Sequence, residues 1–160
     1  ILESPSAGIH DATERARRRA ADEALAGQLE REGLASFVEA WEAQSLFASQ
    51  SALTDDVRSR LRAERLSHDP RGLAASLRGA GQGVMGPLHD RLAAVGCPTL
   101  VIAGVLDPVG SERARLVAEG LPAAVLEIVD GAGHAPHLEQ PEAFLRLAGE
   151  RLAVTSSPVH

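Results

Sequence analysis

The chain has 160 residues, of which 44% are hydrophobic and 24% charged, a balance typical of a globular domain rather than a disordered chain. Its net charge of −6 argues against a nucleic-acid partner, because a phosphate surface attracts an excess of cations. No apolar run reaches the roughly 20 residues of a membrane span. We therefore expect a cytoplasmic globular protein that binds neither nucleic acid nor a membrane.

The first half of the chain has a helical pattern. Residues 1–3 indicate the end of a strand, and a turn rich in Ser, Pro and Gly follows it. Asp11, with Glu14 three residues later, is typical of a helix N-cap, and Gly33 is a plausible helix stop. The predicted helices run from Asp11 to about Arg31, from Leu34 to about Ala43, from Thr54 onward, and from Asp69-Pro70 to about Gly79.

From Cys97 onward, strands and helices alternate. Residues 99–103 are a continuous apolar run rich in β-branched residues, typical of a parallel strand buried on both faces. A helix capped by Ser111, a second strand over 125–129 and a final helix from Pro141 follow. The single cysteine excludes an internal disulfide and a cysteine-based metal cluster, and we expect it to be a small buried residue.

This alternation is the βαβ pattern of a doubly wound α/β sheet. Two complete strands and the tail of a third fall short of the roughly 5–6 strands of a typical sheet. The sequence therefore predicts part of a larger sheet. The missing strands are expected from an N-terminal half of the fold or from a second chain.

Two candidate catalytic residues follow the two complete strands at their carboxyl ends, where open α/β sheets place their sites. Asp107 lies in a G-x-x-D loop, and His134 lies in the loop Gly-Ala-Gly-His-Ala-Pro-His-Leu-Glu-Gln-Pro. Either residue alone is more often a turn former, a helix cap or a solvated side chain. Together, in the order acid then histidine, they predict two members of an α/β-hydrolase triad. His137 and Glu139 are expected to shape the loop and cap the last helix.

A triad also needs an activated nucleophile, normally a serine within G-x-S-x-G, and this pattern does not occur in the sequence. Ser4 and Ser6 lie in a turn without the pattern. Three further serines lie in or at the start of predicted helices: Ser36, Ser76 and Ser111. We expect the nucleophile to lie outside this chain, which by itself is then inactive.

Five sequence blocks in the first half of the chain indicate a narrower family than the acid-then-histidine pattern, which is common to α/β-hydrolases in general. They read Leu2-Glu3-Ser4-Pro5-Ser6-Ala7-Gly8, Glu14-Arg15-x-x-Arg18-x-x-x-Asp22, Phe37-x-x-x-Trp41, Leu46-Phe47-Ala48-Ser49-Gln50 and Gly72-Leu73-Ala74-x-x-Leu77-Arg78. In this order and spacing they resemble the C-terminal part of the 2-succinyl-6-hydroxy-2,4-cyclohexadiene-1-carboxylate synthases of menaquinone biosynthesis. The resemblance extends from Leu2 to about Val154.

The resemblance implies an incomplete α/β-hydrolase fold, with helices forming a cap and a C-terminal part of a doubly wound sheet forming the core. The implied divisions are the end of a core strand and a turn (1–10), the cap and its return to the core (11–95), the C-terminal core (96–154) and a tail (155–160). The implied activity is that of a carbon–oxygen lyase that eliminates pyruvate from a succinyl-cyclohexene carboxylate. No metal or organic cofactor is implied.

The resemblance also assigns residues to roles. It makes Asp107 and His134 members of the triad, places Arg18 and Arg65 where the family binds substrate carboxylates, and places Trp41 in the pocket lining. The bidentate guanidinium of arginine suits such a small-molecule carboxylate substrate. For Trp41, packing in the core of the cap is an equally good interpretation.

One departure leaves the reaction open. The family often has Lys-Phe shortly after the triad acid, whereas Pro108-Val109-Gly110 follows Asp107 here, as in general hydrolases. The alternatives are another α/β-hydrolase, such as an esterase or a carbon–carbon bond hydrolase, and a truncated chain that binds a ligand or partner without turnover.

Overall fold

The structure is a computed structural model that describes residues 1–155. Its strands are β1 (Leu2–Glu3), β2 (Thr99–Gly104) and β3 (Ala124–Val129). Its α-helices are α1 (Ala12–Glu42), α2 (Asp55–Leu66), α3 (Pro70–Ala80), α4 (Pro108–Gly120), α5 (Pro136–Glu139) and α6 (Pro141–Thr155). Two 3-10 helices span Ser45–Ala52 and His89–Ala94. Of these described helices, none has the length and apolar character needed to span a membrane.

The chain divides into two compact units. Unit 1 comprises Ile1–Ala7, Leu46–Ala52 and the chain from Leu88 onward, and unit 2 comprises Gly8–Ser45 and Leu53–Pro87. The domain boundaries expected from the sequence stay a prediction. Of the expected tail over 155–160, residues 156–160 lie outside the described part of the chain.

Unit 1 is built on a parallel sheet in the order β1-β2-β3. All six residues of β2 are buried, as its apolar pattern predicts. Side chains alternate along a strand, so the two faces of β2 have different partners. Val101 and Ala103 pack against apolar residues of α4, while Leu100 and Ile102 pack on the other face against apolar residues of α6. The central strand therefore joins two apolar layers and holds the loops at its end in place.

Unit 2 is helical, and α1 packs against α3. The predicted break in α1 is confirmed, because Gly33 has a φ of 84° within the helix, a conformation that costs glycine little. The predicted N-cap at Asp11 and the predicted helix starts at Thr54 and Asp69 are also confirmed: the side chain of each accepts a hydrogen bond from a backbone N–H of the helix it precedes. The apolar core consists of Ala26, Leu29, Phe37, Val38 and Ala74.

Two expectations were wrong. Ser111 does not cap α4, because that helix begins at Pro108 with Asp107 as its N-cap, and the Ser111 hydroxyl instead donates to the Gly104 carbonyl at 2.7 Å. Cys97 is exposed rather than buried, since the chain enters the buried layer only at Thr99. The two 3-10 helices and the short helix α5 were not predicted, because none of them has an apolar repeat long enough to recognise.

Candidate active site

Asp107 and His134 meet at the carboxyl end of the sheet. Gly104 is paired in register with Val129, so the loops after β2 and β3 leave the sheet side by side. His134 Nδ1 lies 2.7 Å from Asp107 Oδ2, a distance typical of a hydrogen bond to a carboxylate. The Asp107 side chain is 7% exposed and the His134 side chain 35% exposed. The structure thus brings together the two residues that the sequence predicted as triad members.

Asp107 uses both of its carboxylate oxygens. While Oδ2 binds His134, Oδ1 accepts a hydrogen bond from the Gly110 backbone N–H at 2.8 Å and so caps α4. The N-terminal end of a helix also favours a negative charge. A Cβ atom at Gly110 would overlap the Asp107 carboxylate, so a side chain there would displace it. The cap and the partner of His134 are therefore one and the same group.

The two loops are held together by their backbones. The Leu106 N–H donates to the Ala132 carbonyl at 2.8 Å, and the Val105 N–H donates to the Val129 carbonyl at 3.1 Å. Gly104 lies so close to the second loop that a Cβ atom there would overlap the carbonyls of Ala132 and Gly133. This close approach explains the need for glycine at the end of β2 and limits how far His134 can move from Asp107.

Other groups of unit 1 fix the backbone and ring of His134. The Ser4 hydroxyl donates to the His134 carbonyl at 2.8 Å. Ser4 has a φ of 42°, an uncommon conformation for a non-glycine residue, and its own N–H donates to Ile102 at 2.7 Å. The Phe47 ring contacts the imidazole edge-on, with 6.3 Å between ring centroids. The Glu139 carboxylate binds backbone N–H groups on both sides of His134.

This arrangement suits proton transfer. An imidazole whose Nδ1 faces a carboxylate keeps its second ring nitrogen as the proton acceptor, and the carboxylate stabilises the imidazolium that forms. Among residues 1–155, no group of three or more His, Cys, Asp or Glu side chains is arranged to hold a metal ion.

Two of the three predicted substrate-binding residues lie together in unit 2. Trp41 and Arg65 line a cavity of about 230 Å³, along with Phe37, His68, Leu73 and Leu77. The Trp41 ring stacks on the Phe37 ring with 5.8 Å between centroids. Arg65 donates to Glu42 Oε1 at 2.9 Å, and the second oxygen of Glu42 pairs with Arg62.

Arg18 is not among the residues that line this cavity. Its Nε donates at 2.8 Å to Asp22, a carboxylate on the next turn of α1 that is 1% exposed. Each of the two predicted arginines therefore has a carboxylate partner within its own unit. Their roles in binding substrate stay predictions.

Two contributors to this geometry were not anticipated from the sequence. They are Ser4 as a partner of the His134 carbonyl and Glu42 as the carboxylate that holds Arg65. Glu139 shapes the loop, as the sequence predicts, and it does so by binding the Gly133 and Ala135 N–H groups.

Comparison with known proteins places this geometry in a family. A provisionally named 2-succinyl-6-hydroxy-2,4-cyclohexadiene-1-carboxylate synthase of Bacillus subtilis (strain 168) is 39% identical over 152 residues, which are 95% of this chain and 56% of that protein. The synthase of that name from Serratia proteamaculans (strain 568) is 33% identical over 90% of this chain and 53% of its own length. The chain thus spans about half the length of the curated relatives it matches.

Solved structures agree with the sequence comparison. MenH from S. aureus superposes with a TM-score of 0.91 at 34% identity, over 95% of this chain and 59% of that chain. A thermophilic esterase from Thermogutta terrifontis superposes with a TM-score of 0.75 at 26% identity, over 94% of this chain and 54% of that chain. The predicted fold class, an incomplete α/β-hydrolase fold, and the resemblance to the synthases are both confirmed. The alpha/beta hydrolase family profile matches residues 2–147, and the chain therefore belongs to that family.

Proposed function

We propose that the protein containing this chain is a carbon–oxygen lyase that eliminates pyruvate from a succinyl-cyclohexene carboxylate to give the 2-succinyl-6-hydroxy-2,4-cyclohexadiene-1-carboxylate after which its relatives are named. The observation that carries the proposal is the 2.7 Å contact between His134 Nδ1 and the buried Asp107 carboxylate. It supplies a histidine oriented to move a proton.

In this reaction a proton leaves a ring carbon and the carbon–oxygen bond to the three-carbon group breaks. The departing oxygen keeps the electron pair, and the released group takes up a proton to become pyruvate. His134 receives the first proton through a serine hydroxyl, and Asp107 stabilises the imidazolium. We propose that this serine belongs to a part of the protein outside this chain, on a G-x-S-x-G turn.

The substrate carries several carboxylates, and unit 2 supplies candidate partners for them. We propose that Arg18 and Arg65 bind carboxylates and that Trp41 contacts the hydrocarbon ring. Support comes from the cavity that Trp41 and Arg65 line and from the partly exposed side chains of the two arginines, at 40% for Arg18 and 23% for Arg65. A ligand carboxylate would take the place that Glu42 or Asp22 now holds on each guanidinium.

A second candidate is ester hydrolysis by the same triad. It is favoured by the Pro108-Val109-Gly110 sequence after the triad acid and by the similarity to the Thermogutta terrifontis esterase. In that case the serine attacks a carbonyl carbon instead of relaying a ring proton.

The test uses the whole protein encoded by the gene. The menaquinone-pathway precursor is added, and pyruvate release is followed by coupling to lactate dehydrogenase and NADH. We expect steady release that His134→Asn abolishes, while the matched change His137→Asn, at the other histidine of the loop, keeps most of the rate. Ester hydrolysis without pyruvate release would establish the second candidate, and neither activity would overturn both.

A further inference from the structure

Glu139 brackets His134 on the backbone. Its Oε2 accepts a hydrogen bond from the Gly133 N–H at 2.7 Å, and its Oε1 accepts one from the Ala135 N–H at 3.1 Å. The Ala135 N–H belongs to the peptide group that follows His134, and the Gly133 N–H belongs to the peptide group that joins Ala132 to Gly133. One carboxylate therefore holds both sides of the residue whose ring faces Asp107.

The helix that carries Glu139 makes this contact possible. Pro136 starts α5, and the Leu138 and Glu139 N–H groups both donate to the Ala135 carbonyl, at 2.9 and 3.0 Å. This single helical turn brings the Glu139 side chain back to the backbone at the N-terminus of α5, much as in a capping box. The chain from 133 to 139 is thus closed on itself around His134.

The Gly133 N–H needs this acceptor. Gly133 is buried, and a buried backbone donor without a partner costs about 1–3 kcal/mol. A Cβ atom at Gly133 would lie 3.0 Å from Glu139 Oε2 and would overlap Ser49 Oγ, so glycine at this position leaves room for both side chains.

We propose that Glu139 is a positioning residue for His134. By holding the peptide group that follows His134 and the one that joins Ala132 to Gly133, it constrains where the His134 Cα lies, so that Nδ1 meets Asp107 and the opposite ring nitrogen is presented to the reaction. The proposal rests on the function proposed above, in which His134 moves the proton. Only a carboxylate fills this role, because a glutamine amide offers one acceptor oxygen in place of two.

The first test needs no substitution. Native-state hydrogen exchange is measured in the whole protein by NMR, with selective labelling of glycine and alanine. The Gly133 and Ala135 amides are expected to exchange at least about 100-fold more slowly than in an unstructured peptide, since opening requires breaking a charge-assisted bond. Exchange of both at the unstructured rate would overturn the proposal, whatever the variants do.

The second test separates positioning from folding. We expect Glu139→Gln to lower kcat about 100-fold with KM within about twofold, because a small misplacement of a catalytic group costs this much. We also expect the variant to weaken or lose the low-field NMR signal of the proton between His134 Nδ1 and Asp107. The matched control is Glu142→Gln, an exposed glutamate on α6, for which both readouts should match the wild type.

The outcomes are distinct. A Glu139→Gln protein with native circular dichroism, unchanged kcat and an unchanged low-field signal refutes the positioning role. If this variant does not fold, Glu139→Asp is used, which keeps the charge but is one methylene too short to reach both N–H groups, and the same readouts apply. If His134→Asn retains full activity, the proposed function fails, while the exchange measurement still decides whether Glu139 holds the loop.

Discussion

The carboxylates at the two candidate sites are held in different ways. In unit 1, Asp107 binds a backbone N–H of the first turn of α4 as well as the His134 ring, and Glu139 binds backbone N–H groups of the loop around His134. In unit 2, Glu42 binds the side chains of Arg62 and Arg65, which reach it from another helix. A backbone partner cannot leave without unfolding the loop, whereas a long side chain can exchange one carboxylate for another. The geometry around His134 is therefore fixed, and Arg65, which lines the cavity of unit 2, is suited to a ligand that comes and goes.

The largest effect should come from Asp107. Asp107→Asn keeps an acceptor oxygen for the Gly110 N–H, but its amide can donate to His134 Nδ1 and so stabilise the wrong tautomer. We expect kcat for pyruvate release to fall about 10⁴-fold with little change in the unfolding midpoint. The control is Asp130→Asn, at the exposed aspartate just after β3. A rate for Asp107→Asn within tenfold of the wild-type rate would contradict a catalytic role for the Asp107–His134 pair.

The apolar core of unit 2 should give the next largest effect. Phe37 is 8% exposed and stacks on Trp41, so Phe37→Ala removes buried apolar surface and leaves a cavity. We expect the free energy of unfolding to drop by about 3–5 kcal/mol in chemical denaturation. Leu66→Ala, at a side chain that is 39% exposed, should cost under about 1 kcal/mol. Equal losses for the two variants would show that unit 2 does not depend on this core.

A substitution at Arg65 tests whether an arginine that is ion-paired with Glu42 can also bind a ligand. Arg65→Ala removes a charged donor that lines the cavity, and we expect KM to rise about 10- to 100-fold with kcat within about threefold. Arg62→Ala is the matched control, because Arg62 binds the same Glu42 but does not line the cavity. If both variants raise KM equally, Arg65 acts only through Glu42. The proposal that Arg65 itself binds the substrate is then wrong.

The smallest expected effect concerns the pH dependence of stability. Hydrogen bonds from the Arg78 guanidinium lower the pKa of both Glu23 and Glu30 below the ordinary value of 4.5. Because the folded pKa values are depressed, their stabilisation is fully present above 4.5 and is lost as the pH falls through the lowered values. These carboxylates are on the surface, so solvent weakens the effect.

We therefore expect Arg78→Gln to lower the urea midpoint slightly near pH 6 and to leave it unchanged at a pH low enough to protonate both carboxylates. Arg146→Gln, at an exposed ion pair with Glu150 in unit 1, serves as the control for a generic lost charge. A midpoint difference of the same size at both pH values would contradict the assignment of the stabilisation to these ionised carboxylates.

The features that the sequence determined by itself are either contacts between residues close together in the chain or consequences of the order of the strands. The caps at Asp11, Thr54 and Asp69 could be predicted because each bonds within three residues along the chain. The pairing of Asp107 with His134 could also be predicted, because neighbouring parallel strands end at the same edge of a sheet.

The tertiary structure decided which of several possible partners each polar group takes. Ser4 reaches the His134 carbonyl across most of the chain, and Glu42 reaches Arg65 from a different helix. Asp107 rather than Ser111 caps α4, although both are good cap residues, because the buried end of β2 brings the aspartate to the first turn and turns the serine toward Gly104. Such choices depend on distances between segments that are far apart in sequence, and these distances exist only after the chain has packed.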